Sequence, residues 1–182
     1  MQFLTLTLIK LFVLLNIVTN AEWANWRGPN MDGSSSAKNV PTKFSQSENI
    51  RWSIDMTGKA ASTPIISGGK VFITTTDKNK KELLAVAYDL KSGKKQWSEV
   101  VGKGLNQDNR SNYAGASPVS DGKHVVFFYG TGDMAVFSHD GKLRWKKNIQ
   151  EEYGKFFFLW TFSSSPIIHD GKIILQVLQR DT

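Results

Sequence analysis

The chain has 182 residues, 23 basic against 16 acidic side chains for a net charge of +7, and no cysteine. Disulfide frameworks, thiol nucleophiles, thiolate zinc sites and a lipid-modified cysteine anchor are therefore excluded. With 40% hydrophobic, 12% aromatic and 21% charged residues it has the material for a core, and its length suits one domain or part of a larger one rather than a multi-domain enzyme.

Residues 1–21, MQFLTLTLIKLFVLLNIVTNA, contain one charge (Lys10), no acid, an apolar run from Leu11 to Val18 and a Thr19-Asn20-Ala21 ending. That pattern predicts a secretory signal peptide cleaved after Ala21. A spanning helix would need about 20 predominantly apolar residues, and Lys10 interrupts the run. The mature chain is thus expected to start at Glu22, to be periplasmic or extracellular, and to keep no stable membrane anchor. Residues 22–49 read as an amino-terminal lead-in segment. The lysines that follow, such as Lys78, Lys80, Lys81, Lys94, Lys95, Lys146 and Lys147, stand at expected turns and strand ends, where they protect sheet edges. There is no basic helix and no Arg-rich tract, so nucleic acid is not an expected partner.

From residue 50 to residue 182 the chain repeats. Ser62-Thr63-Pro64-Ile65-Ile66-Ser67-Gly68-Gly69-Lys70-Val71 recurs around Pro118 and around Pro166, with the prolines 54 and 48 positions apart. Gly93-Lys94-Lys95-Gln96-Trp97 recurs 48 positions on as Gly141-Lys142-Leu143-Arg144-Trp145, and Trp52 marks the end of an earlier unit. Between these markers lie short segments rich in Val, Ile, Phe and Thr. The pattern predicts strands over 64–67, 70–76, 83–89 and 94–100, joined by Gly-Gly and Ser-Gly turns. Four strands per unit at a pitch near 48 predict an all-β, β-propeller architecture of four-stranded antiparallel blades, of which about two and a half to three are present. Each proline starts a strand, where no ladder hydrogen bond is lost. Trp52, Trp97 and Trp145 are expected to dock between neighbouring blades, each ring filling a wedge and each N–H needing one acceptor. The third unit stops before a closing Gly-x-x-x-Trp, which predicts that the ring continues past Thr182 as an N-terminal fragment would require.

The stretch Ala87-Tyr88-Asp89-Leu90-Lys91-Ser92-Gly93-Lys94-Lys95-Gln96-Trp97 resembles the Ala-x-Asp-x-x-x-Gly-x-x-x-Trp motif of pyrroloquinoline-quinone-like (PQQ-like) repeats. The next unit keeps Ala135, Gly141 and Trp145 but has Phe137 at the aspartate position. No aspartate follows Trp97 or Trp145, which disfavours a WD-type propeller. Trp23-Ala24-Asn25-Trp26-Arg27-Gly28-Pro29 through Ser34 is similar to the opening of exported bacterial PQQ-like proteins. The resemblance implies either a quinoprotein dehydrogenase, with quinone, calcium and an aspartate base at the ring centre, or a noncatalytic propeller such as the outer-membrane assembly factor. Oxygen ligands suit calcium and a carboxylate suits proton abstraction from an alcohol. The vicinal cysteine pair common in the dehydrogenases is absent, and Glu22 stands where a lipid-anchored assembly factor would have cysteine.

No catalytic residue, metal ligand or cofactor-binding residue is assigned. His124, His139 and His169 lie at or beside Gly-Lys turns, which reads as surface rather than zinc, and no Gly-x-Ser-x-Gly elbow supports a serine nucleophile. Two nonrepeating insertions are the better candidates for ligand contact. One, Gly102 to Gly115, contains Asn106, Gln107, Asp108, Asn109, Arg110, Asn112 and Tyr113; the other, Gln150 to Phe162, contains Trp160. The expected function is an exported, noncatalytic binding or scaffold propeller for a protein, glycan or small ligand, with no cofactor evident. The alternative is a quinoprotein dehydrogenase whose quinone and calcium residues lie beyond Thr182. A third possibility is a self-assembling protein whose copies close one ring.

Overall fold

The structure, a computed structural model, describes residues 22–105, 112–157 and 160–179. Segment 1–21, expected to be a signal peptide, lies outside these residues. β1 (Ile65–Ser67), β2 (Lys70–Asp77), β3 (Glu82–Asp89) and β4 (Lys95–Lys103) pair antiparallel in chain order. β5 (Val119–Ser120), β6 (His124–Phe128), β7 (Asp133–Ser138) and β8 (Leu143–Asn148) repeat that meander. A five-residue helix, α1 (Ile149–Tyr153), follows, and then the two-stranded pair β9 (Ile167–His169) and β10 (Lys172–Ile174). The four strands expected in the first unit are all present, with β4 running three residues further than its pattern suggested.

Strand alternation sends successive side chains to opposite faces, and here both faces find partners. Ile65, Phe72, Leu83, Ala85 and Ala87 of the first sheet pack against Val125, Phe127, Ala135 and Phe137 of the second. The opposite faces hold Val71, Leu84, Val86 and Tyr88 against Trp52 and Ile54, and Val126, Phe128, Met134 and Val136 against Ile168 and Ile173. That two-sided burial is why segments such as ELLAVAYD and HVVFF are nearly continuous apolar runs instead of alternating ones.

The turns follow from local chemistry. Gly68 and Gly69, at φ of 56° and 74°, form the two-residue β1–β2 connection, which requires positive φ at both places. Asp89 Oδ1 accepts the Ser92 N–H at 2.7 Å and the Ser92 hydroxyl at 2.6 Å, closing the β3–β4 turn. Pairing slips between Ala87 and Tyr88 opposite Gln96, and between Val136 and Phe137 opposite Arg144. Each bulge immediately precedes a tryptophan of the repeat and re-aims the strand there.

Candidate functional site

The tryptophans show how one unit is coupled to the next. Trp52 Nε1 donates to Leu90 O at 3.0 Å, and Trp97 Nε1 donates to His139 O at 3.0 Å. The rings lie against Gly93 and Gly141, where an added Cβ would stand 2.7 Å from Trp52 Cδ2 and 2.8 Å from Trp97 Cγ. Both glycines have positive φ, 69° and 89°, so the turn and the close approach each require them. Trp97 also touches Phe72, Phe127 and Phe137 at centroid distances of 5.9, 6.0 and 5.5 Å. Trp145, the third of the series, is 38% exposed and lies under Lys147. It borders two grooves of about 420 and 650 Å³ between the second sheet and the β9–β10 pair, lined by Arg144, Ile168, Tyr153 and Leu175 among others.

A second coupling runs through the Ser-Pro repeat. Ser117 Oγ accepts the Thr63 N–H at 2.8 Å, and Ser165 Oγ accepts the Ser117 N–H at 2.9 Å. The sequence separations, 54 and 48, are the proline spacings themselves. Recurrence of Ser before Pro was the visible signal, but a hydrogen bond from one unit's pre-proline amide to the next unit's hydroxyl is legible only in three dimensions.

The two insertions converge. Gly130 accepts both: an added Cβ there would lie 2.6 Å from Phe162 O, 2.9 Å from Thr161 Cγ2 and 3.0 Å from Tyr113 Cδ1. Gly130 N–H donates to Tyr113 O at 2.9 Å. Asn112 is buried, and its Oδ1 accepts the Ala114 N–H at 2.9 Å, so this side chain shapes its own loop. Tyr113 packs on the core between the sheets. Trp160 is 46% exposed. Asn109 and Arg110, also expected as contacts, lie outside the described residues. Tyr129, next to Gly130, is wholly buried; its hydroxyl has no hydrogen-bond partner among the described residues, and burial together with the charge of Asp133 holds its pKa well above that of an ordinary tyrosine.

The carboxylates serve turns. Asp32, Asp89 and Asp140 are held below the ordinary aspartate range by hydrogen bonds from Ser34, Ser92 and Ser138. For Asp121 burial opposes ionisation, but the amides of His124 and Lys123 and the His124 ring outweigh it. Among the described residues no group of three or more His, Asp or Glu side chains could hold a metal ion. Of the three histidines expected at the surface, His139 instead sits half-buried between the sheets, its ring packed tilted against Phe72 with the centroids 5.0 Å apart. No helix among the described residues is long and apolar enough to cross a membrane.

The profile of the family described as outer membrane protein assembly factor BamB matches residues 41–179. Among solved structures the chain is similar to BamB from Moraxella catarrhalis, at 19% identity over 70% of this chain and 33% of that one, with a TM-score of 0.48. It is similar to a europium-containing methanol dehydrogenase at 16% identity, over 86% of this chain and 27% of that one, with a TM-score of 0.60. Quinohemoprotein alcohol dehydrogenase from Comamonas testosteroni is 18% identical over 65% and 17% of the two chains, with a TM-score of 0.42. This chain thus spans a third or less of the length of those proteins. No curated protein matches it.

Proposed function

The chain belongs to the PQQ-like repeat family described as outer membrane protein assembly factor BamB, and from that premise we propose that it is an exported, noncatalytic propeller module that binds or holds other molecules. The observation that carries this reading is the employment of its acids. Asp89, Asp121 and Asp140, the carboxylates whose ionisation the fold favours within the repeat, each accept hydrogen bonds inside their own hairpin turns. They build scaffold rather than converge on one reacting centre. Large apolar side chains face outward meanwhile: Phe44 is 72% exposed, and Trp26 and Trp160 are nearly half exposed. Exposed aromatics suit contact with a protein or glycan, whose recognition relies on such anchors. Export rests on the charge and apolar pattern of residues 1–21.

The competing reading makes the whole protein a quinone- and calcium-dependent alcohol dehydrogenase. Purified full-length protein, supplied with calcium and the quinone, is assayed for dye-linked alcohol oxidation. The proposal expects no turnover above the protein-free control; sustained, alcohol-dependent dye reduction would replace it with the dehydrogenase.

A further inference from the structure

Four chain segments meet on His139, in the β7–β8 turn, three of them on its imidazole. Its Nε2 lies 2.8 Å from Ser120 Oγ on β5. Its ring rests on Phe72 of β2, and its Nδ1 faces the β1–β2 turn, where an added Cβ on Gly68 would stand 2.7 Å away. Its backbone carbonyl takes the Trp97 indole N–H from β4. The amino-terminal segment is tied to these same places. Glu22 Oε1 accepts the Gly68 N–H at 2.9 Å, Trp23 exchanges two backbone hydrogen bonds with Ile66, and Ala24 O accepts the Ser120 N–H at 2.8 Å. Gly68 and Ser120 therefore each touch both the imidazole and the amino-terminal segment.

We propose that His139 is a pH-sensitive pin: in its neutral form it sets Gly68 and Ser120 to receive the segment Glu22–Ala24, and on protonation that segment is released while both four-stranded sheets stay folded. Ser120 Oγ donates to His124 O at 2.8 Å, so its lone pairs accept from the Gly122 N–H and from His139 Nε2–H. Nδ1 is left as the bare nitrogen, and a second proton must sit there, against the Gly68 turn. Burial disfavours the added charge, as do Lys70 on β2 and His124 on β6; Asp121 in the β5–β6 turn and Glu22 on the amino-terminal segment favour it. Burial prevails and keeps the imidazole below the ordinary histidine range. Opening the segment admits water to the ring, which relieves the largest of these effects. Because the folded pKa is depressed, the stability owed to neutral His139 is complete above about pH 6.5, the unfolded value, and is lost as pH falls toward the folded value.

The test is amide hydrogen exchange on the full chain between pH 7.5 and pH 5. Protection factors of Ile66, Gly68 and Ser120, the amides bonded to the amino-terminal segment, are expected to fall by up to about tenfold per pH unit, the limit for one linked proton. Amides of β3 and β6 keep their protection. His139→Gln, which retains a nitrogen donor toward Ser120, removes the pH dependence, whereas His124→Gln preserves it. In the wild-type protein the NMR titration midpoint of the His139 ring coincides with the fall, a readout that needs no variant. A pH-independent protection, an unchanged fall in His139→Gln, a displaced midpoint, or simultaneous loss across both sheets overturns the proposal.

Discussion

Single residues hold the repeat together through partners about one unit away. Ser117 is nearly fully buried and supplies the acceptor for the Thr63 amide. Ser117→Ala leaves that amide unpaired and is expected to cost about 1–3 kcal/mol in urea unfolding. Ser165→Ala, at a less buried site, costs less; equal losses would show that the relay is not what the hydroxyls do. The turn carboxylates set the acid limit. Since hydrogen bonds lower the pKa of Asp121 on balance, its contribution is present above the ordinary aspartate range and disappears as pH falls through the folded value. Asp121→Asn should therefore lower stability at neutral pH, approach wild type below about pH 4, and so flatten part of the acid loss. A titration curve identical to wild type would contradict that assignment. At this scale the sequence was only partly legible. Trp52 and Trp97 announced themselves by size and spacing, but their acceptors, Leu90 O and His139 O, are backbone carbonyls that carry no residue signature.

At the scale of elements, the glycine of each Gly-x-x-x-Trp hairpin and the tryptophan of the preceding unit form one device. Gly141 and Gly122 share nearly the same backbone angle, φ of 89° and 88°, yet only Gly141 has a ring against it. An alanine at either place incurs the left-handed penalty of about 1–2 kcal/mol. Gly141→Ala must in addition displace Trp97, so it should destabilise more than Gly122→Ala; the same loss at both would deny the docking. Strands were readable because β-branched and aromatic residues alternate with turn chemistry over short, regular distances. The bulges opposite Gln96 and Arg144 were not, since an unpaired residue in a ladder depends on its cross-strand partner rather than on its own identity. The converging insertions show the same division. Their lack of repetition marked them as separate, while their meeting on Gly130 depends on how two sheets stack.

For the molecule as a whole, the claim is that two copies of one four-stranded unit stack face to face as successive blades of a PQQ-like propeller. The architecture was legible because two markers recur in the same order at the same pitch, a pattern that a single compact fold has no reason to show. Function was far less so, because the repeated residues serve turns and packing. Central to the claim is the contact between Trp97 of one blade and the His139–Gly141 turn of the next. A nuclear Overhauser spectrum of the labelled chain measures it directly. Cross-peaks from the Trp97 indole N–H to the Gly141 α-protons, with that N–H slow to exchange, are the predicted result; an indole that exchanges as if in free solvent and shows no cross-peak to residues 139–141 would contradict the stacked-blade architecture.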